Sequence, residues 1–140
     1  MTENLARIRV MLVLSGDRLD FEETSALLGV QPDMVRRKGE PFGSRNTPSV
    51  ETFWEKSLDV TGDNIEPPLL KVIETVWPRR RELAALRTKK GISVTMVLWI
   101  DALESWPVMI LGANTVARLA ALDASLDMDL ADYRAPDLDA

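Results

Sequence analysis

Histidine and cysteine are both missing from this sequence, and tyrosine occurs once. Without cysteine there is no disulfide, no thiolate metal ligand and no thiol nucleophile. Without histidine, the commonest general base and the commonest nitrogen ligand for zinc, copper or non-haem iron are gone. Ser-His-Asp and Cys-His catalysis are thereby excluded on composition. Long apolar runs are lacking too: none approaches the roughly 18 residues of a membrane helix. The opening MTENLARIRVMLVLSG puts an acid first and its arginines inside the apolar run, unlike a secretory leader. The expectation is a soluble, cytoplasmic protein with no membrane partner.

What is present suits one folded domain. The chain has 140 residues, enough for a real core. Its 46% hydrophobic and 28% charged residues are ordinary for a globular protein, which argues against general disorder. The net charge of −5 is unevenly placed. Residues 1–122 hold sixteen acids and sixteen bases, whereas the last eighteen hold six acids against Arg134 alone. A dedicated nucleic-acid binder carries a strongly basic footprint, so no nucleic-acid partner is expected.

Hydrophobic periodicity outlines the elements. In ARIRVMLVL, residues 6–14, Ile8, Val10, Leu12 and Leu14 alternate with Arg7 and Arg9, as in a strand with one buried face. Asp20 is placed to cap a short helix containing Phe21, Leu27 and Leu28, with Gly29 as its stop. A long connection follows, with a brief strand near MVRRKG. A strand around Trp54 comes next, with Val50, Thr52, Trp54 and Leu58 on one face. Pro67 and Pro68 suit the first turn of a second helix, which Pro78 should kink or restart and Gly91 should close. ISVTMVLWI and WPVMIL read as two further strands. Asn114 is placed to cap a third helix packed by Val116, Leu119, Ala120 and Leu126, and LDMDLADY alternates as a last edge strand.

The order β-α-β-β-α-β-β-α-β predicts an α+β fold. It consists of an antiparallel or mixed sheet with a ferredoxin-like β-α-β-β-α-β core, extended by β-α-β, with helices mainly on one face. Residues 1–134 would form this single domain and residues 135–140 a frayed tail.

The stretches LSGDRLDFEETSALLGVQP, RRKGEP, FWEKSL, LLKVIETVWPRRRELAALR and ARLAALDASLDMDLADY together carry a resemblance. They are similar to a bacterial family catalogued as a domain of unknown function, numbered 4279. The resemblance covers nearly the whole chain and implies an α+β domain without an established activity. Related small domains are sometimes placed near bacterial toxin genes and proposed as immunity proteins, which implies an interaction role.

The candidate contact residues fall into two groups. Arg36, Arg37, Lys38 and Arg45 surround Gly39 and Gly43 in VRRKGEPFGSR. Glycine amides and charged forks can hold an anion, but the order and spacing do not make a P-loop. A solvated turn is the plainer reading. Trp54 joins this group as a possible stacking surface, although a strand tryptophan is more often core. The second group lies opposite the main core positions: Met11, Val13, Val97 and Trp99, joined by Met109 and Leu111. A face this apolar needs a cover, either the third helix or a second copy of the chain, and a homodimer is the expectation. The acids at 17–23 and 127–132 match no calcium loop, so no metal and no cofactor are expected. The functional expectation is a non-enzymatic interaction or regulatory protein, immunity-like in form, with an unidentified protein partner. The alternative is a small-ligand or anion-binding module built on the basic loop 36–45.

Overall fold

The computed structural model describes residues 5–42 and 47–136, without the side chain of Phe42. The candidate Arg45 and the tail residues 137–140 lie outside the described residues.

A five-stranded mixed sheet organises the chain, in the order β2-β5-β1-β6-β7. β1 (Ala6–Ser15) is central and runs antiparallel to both β5 (Phe53–Gly62) and β6 (Ser93–Ala102). β2 (Met34–Arg36) is a short edge strand antiparallel to β5. β7 (Ala124–Asp132) is the other edge and runs parallel to β6. A parallel neighbour needs a crossover, which α4 (Ala113–Ala121) supplies. The connection after β2 contains a two-residue pair of strands, β3 (Pro41–Phe42) and β4 (Thr47–Pro48).

Strand alternation separates the two sheet faces. On β1, Ile8, Val10, Leu12 and Leu14 stand beside Ile100, Leu98, Met96 and Val94 of β6. These residues join one core cluster with Leu28 of α1 (Phe21–Leu28) and with Leu69, Val72, Ile73 and Val76 of α2 (Glu66–Val76). Leu83 and Leu86 of α3 (Arg80–Lys90) and Leu119 of α4 complete it. The helices therefore lie on one face of the sheet.

The local signals work as their chemistry dictates. The Asp20 carboxylate accepts from the Glu23 amide at 2.8 Å and caps α1. Prolines occupy the first turn of α2, where no amide is needed. Pro78 interrupts the long helix with a 3-10 turn, Trp77–Arg79, before α3 resumes. Gly29 and Gly91 end α1 and α3 in the left-handed conformation.

Three expectations are corrected. WPVMIL is not a strand: it makes one isolated parallel bridge, Asn64 to Val108, and Pro107 has no amide to extend a ladder. The extension beyond β6 is thus α-β rather than β-α-β. Asn114 does not cap α4, which begins at Ala113 after Gly112. Glu66 of α2 does so instead, accepting from the Gly112 amide and, at 3.0 Å, from the Thr115 hydroxyl. Val116 points to solvent, while Leu119 is buried. No described helix is long and apolar enough to cross a membrane.

Candidate functional site

The sheet face opposite the helices carries Arg9, Met11 and Val13 on β1. Across the ladders, Arg9 stands between Asp59 and Trp99, Met11 between Ser57 and Val97, and Val13 between Glu55 and Thr95. The strand twist and the edge strand β2 shape this face into a trough of about 460 Å³. Met11 forms part of it, and at 4% exposure is buried although it lies outside the core cluster. Met34, Val35, Arg36 and Phe53 line the β2–β5 side, and Val97, Trp99 and Asp127 the β6–β7 side. Trp99 is 47% exposed, a large indole left accessible beside an apolar floor.

Arg9, Arg36, Glu55 and Asp127 supply the charge, with Arg9 and Glu55 beside each other. The guanidinium stands 5.7 Å from the Trp99 ring centroid, within cation–π range. It approaches Glu55 at 3.7 Å and Asp59 at 3.8 Å. Both distances exceed hydrogen-bond length, and the buried Arg9 Nε has no hydrogen-bond partner among the described residues. Burial pushes the Glu55 carboxyl above its usual 4.5, with the Arg9 and Arg36 charges pulling the other way. The result is an apolar trough with a cation held by charge and stacking, and a carboxylate whose charged form is disfavoured.

The basic-loop group does not form one site. Arg36 lies at the trough, whereas Arg37 and Lys38 lie near the start of α1, beside a smaller hollow of about 290 Å³ shared with Leu19, Phe21 and Thr52. Arg37 covers the Phe21 ring at 4.9 Å and pairs with Glu40 at 3.7 Å. Lys38 pairs with Asp17 at 3.3 Å, and its amide donates to the Thr52 hydroxyl at 3.0 Å. Gly39, at φ 90, makes the turn that a side chain would strain. The Gly39 amide is taken by the Ser49 carbonyl at 2.8 Å. The Arg37 and Lys38 charges are thus engaged within the chain.

Trp54 is corrected as a contact candidate. It is fully buried, and its Nε1 donates to the Ser25 hydroxyl at 3.1 Å, so no ligand can stack on it in this fold. Trp77 is half-buried at the helix junction between the guanidinium groups of Arg80 and Arg118, at 4.6 and 5.0 Å.

Of the six residues expected on the apolar face, Met11, Val13, Val97 and Trp99 meet in the trough. Met109 and Leu111 do not. They belong to the connection after β6, and Leu111 packs against the core cluster on the helix side. Arg9, Met34, Phe53 and Glu55 also line the trough and were not among the residues expected there. The alternation of FWEKSL already set Phe53 and Glu55 opposite Trp54. The third helix, α4, does not cover this face, since Leu119 joins the core on the opposite side. Among the described residues no three acids converge as a metal ion would require.

A family model described as a domain of unknown function (DUF4279) matches residues 6–133. Neither the curated proteins nor the solved structures return a match.

Proposed function

This chain belongs to that family, DUF4279, and we propose that it works as a non-enzymatic interaction protein whose open sheet face is the contact surface. One observation carries the reading: an apolar trough, with an accessible Trp99 and an arginine whose Nε has no hydrogen-bond partner among the described residues, lies on a face that no described helix covers. The floor offers apolar burial, and Arg9 offers donors to an acceptor at its end. A partner's side chain or a small molecule with an apolar body and an anionic head suits both. Such a partner is blocked or steered rather than chemically altered, which is the regulatory, immunity-like form of the reading.

The finer fold reading belongs with it. The order β2-β5-β1-β6, antiparallel throughout, supports a ferredoxin-like core to which α4 and β7 are added. Ferredoxin-like sheets keep one face free of helices, which makes that face available for contacts. Anion binding by the basic loop has less support, because Arg37 and Lys38 already pair with Glu40 and Asp17.

Anilinonaphthalene sulfonate, an aromatic anion that fluoresces in apolar sites, tests the surface. The native protein should bind it at one site, and Trp99→Glu should abolish that binding. The Arg37→Glu/Lys38→Glu double variant should bind as the native protein does. Unchanged binding by Trp99→Glu overturns the reading, and loss in the loop variant returns the site to residues 36–45.

A further inference from the structure

We propose that the outer edge of β7 receives an extended strand from a partner protein, one in which apolar residues alternate with lysine or arginine. This inference concerns the sheet edge, which meets the trough at Asp127. β7 ends the sheet, so one side of its nine-residue backbone faces no neighbouring strand among the described residues. The opposite edge strand, β2, is only three residues long. A short edge is a common protection against strand addition, whereas a long one is a template for it.

The side chains of β7 form two rows with different needs. On the helix side, Leu126, Met128 and Leu130 stand beside Met96, Leu98 and Ile100, yet are 40–49% exposed. An added strand with apolar residues at matching positions would continue that row. On the open face, Asp127 and Asp129 stand beside Val97 and Trp99. Neither makes an ion pair among the described residues. Asp132 differs, because its carboxylate is already engaged by Arg134 at 2.9 Å.

The same alternation disfavours a second copy of β7 as the occupant. Antiparallel pairing centred on Met128 would set Asp127 directly opposite the partner's Asp129, and the reverse. Parallel pairing in register would set each aspartate beside its own copy. Like charges at opposed positions destabilise a sheet. Slipping the register by one residue relieves them only by turning the apolar row to the wrong face. A strand that alternates apolar and basic residues satisfies both rows at once.

The probe is an acetylated Val-Lys-Val-Lys-Val-Lys-Val peptide, compared with its counterpart carrying glutamate for lysine. Titration of the native protein should show binding of the basic peptide, weakening with salt, and affinity lower by roughly tenfold or more for the acidic one. Asp127→Lys/Asp129→Lys should reverse that preference. Amide exchange across residues 125–131 should slow on binding, because the outer edge acquires hydrogen-bond partners. Trp99→Glu adds a carboxylate beside Asp129 and should leave binding of the basic peptide intact, no weaker than in the native protein. Equal affinity for the two peptides, no binding of either, or unslowed β7 amides overturns the proposal. Loss of binding in Trp99→Glu also overturns it, placing the peptide in the trough and leaving the open-face reading intact.

Discussion

Trp54 and Trp99 show how one residue type takes two roles according to strand register. Trp54 faces the helices beside Leu14 and donates to Ser25, so it belongs to the core. Its replacement by alanine should cost about 3–5 kcal/mol through lost burial and the cavity left behind, read from urea unfolding. Trp54→Phe keeps most of the volume, loses the Ser25 hydrogen bond and should cost less. Glu55, the next residue, faces the trough. The native state binds the Glu55 proton more tightly than the unfolded chain does, because burial raises the folded value above 4.5. Its contribution is therefore fully present at low pH and is lost as pH rises from the unfolded value through the raised folded one. Glu55→Gln should remove that downward slope. Urea unfolding at steps from about pH 4 to about pH 7 checks it, and an identical slope in the variant contradicts the burial of this carboxyl.

At the scale of elements, α4 shows what an alternating or capping pattern can hide. Its N-terminus is capped by Glu66, 46 residues earlier in the chain. Glu66→Ala should cost about 1–2 kcal/mol. It should also speed exchange of the Gly112 amide and the first turn of α4 while β1 stays protected. Elements set by local chemistry were legible beforehand: Asp20 at the start of α1, Pro67 and Pro68 in α2, Pro78 at the interruption, and Gly91 at the close. Each acts within one turn of chain. Asn114 looked equally suitable as a cap, and only the distant carboxylate decides otherwise. The stretch 106–111 carries strand-like residues, but it bridges a neighbour only at Val108 among the described residues, with Trp106 and Leu111 packed against the core and Val108, Met109 and Ile110 exposed. The trough was half legible for the same reason. Alternation within β1 and β6 brought out Met11, Val13, Val97 and Trp99. The presence of Met34, Phe53 and Glu55 depends on β2 and β5 being neighbours on that side, which is a matter of strand order. Arg36 and Arg37 are adjacent in sequence, but β2 ends at Arg36, which stays at the trough, while Arg37 lies over Phe21 at the start of α1.

For the molecule as a whole, the open face sets the expectation for assembly. Two copies that appose this face about a two-fold axis would each place Trp99 against the other's trough, an isologous contact. Light scattering at high micromolar concentration should therefore give the mass of a dimer, and Trp99→Glu that of a monomer. A native monomer under those conditions removes the homodimer and leaves the trough to another partner.

The central position of β1 also has a consequence in time. It is made before either of its neighbours, which begin only at Phe53 and Ser93. At elongation rates of about 5–20 residues per second, β1 waits on the order of 10 s for its second neighbour. During that interval the strand that becomes the most enclosed in the sheet is an exposed apolar ribbon with both edges open. The growing chain thus passes through a vulnerable period whose length is set by the ribosome, and slowing translation between residues 15 and 102 should lower the yield of folded protein.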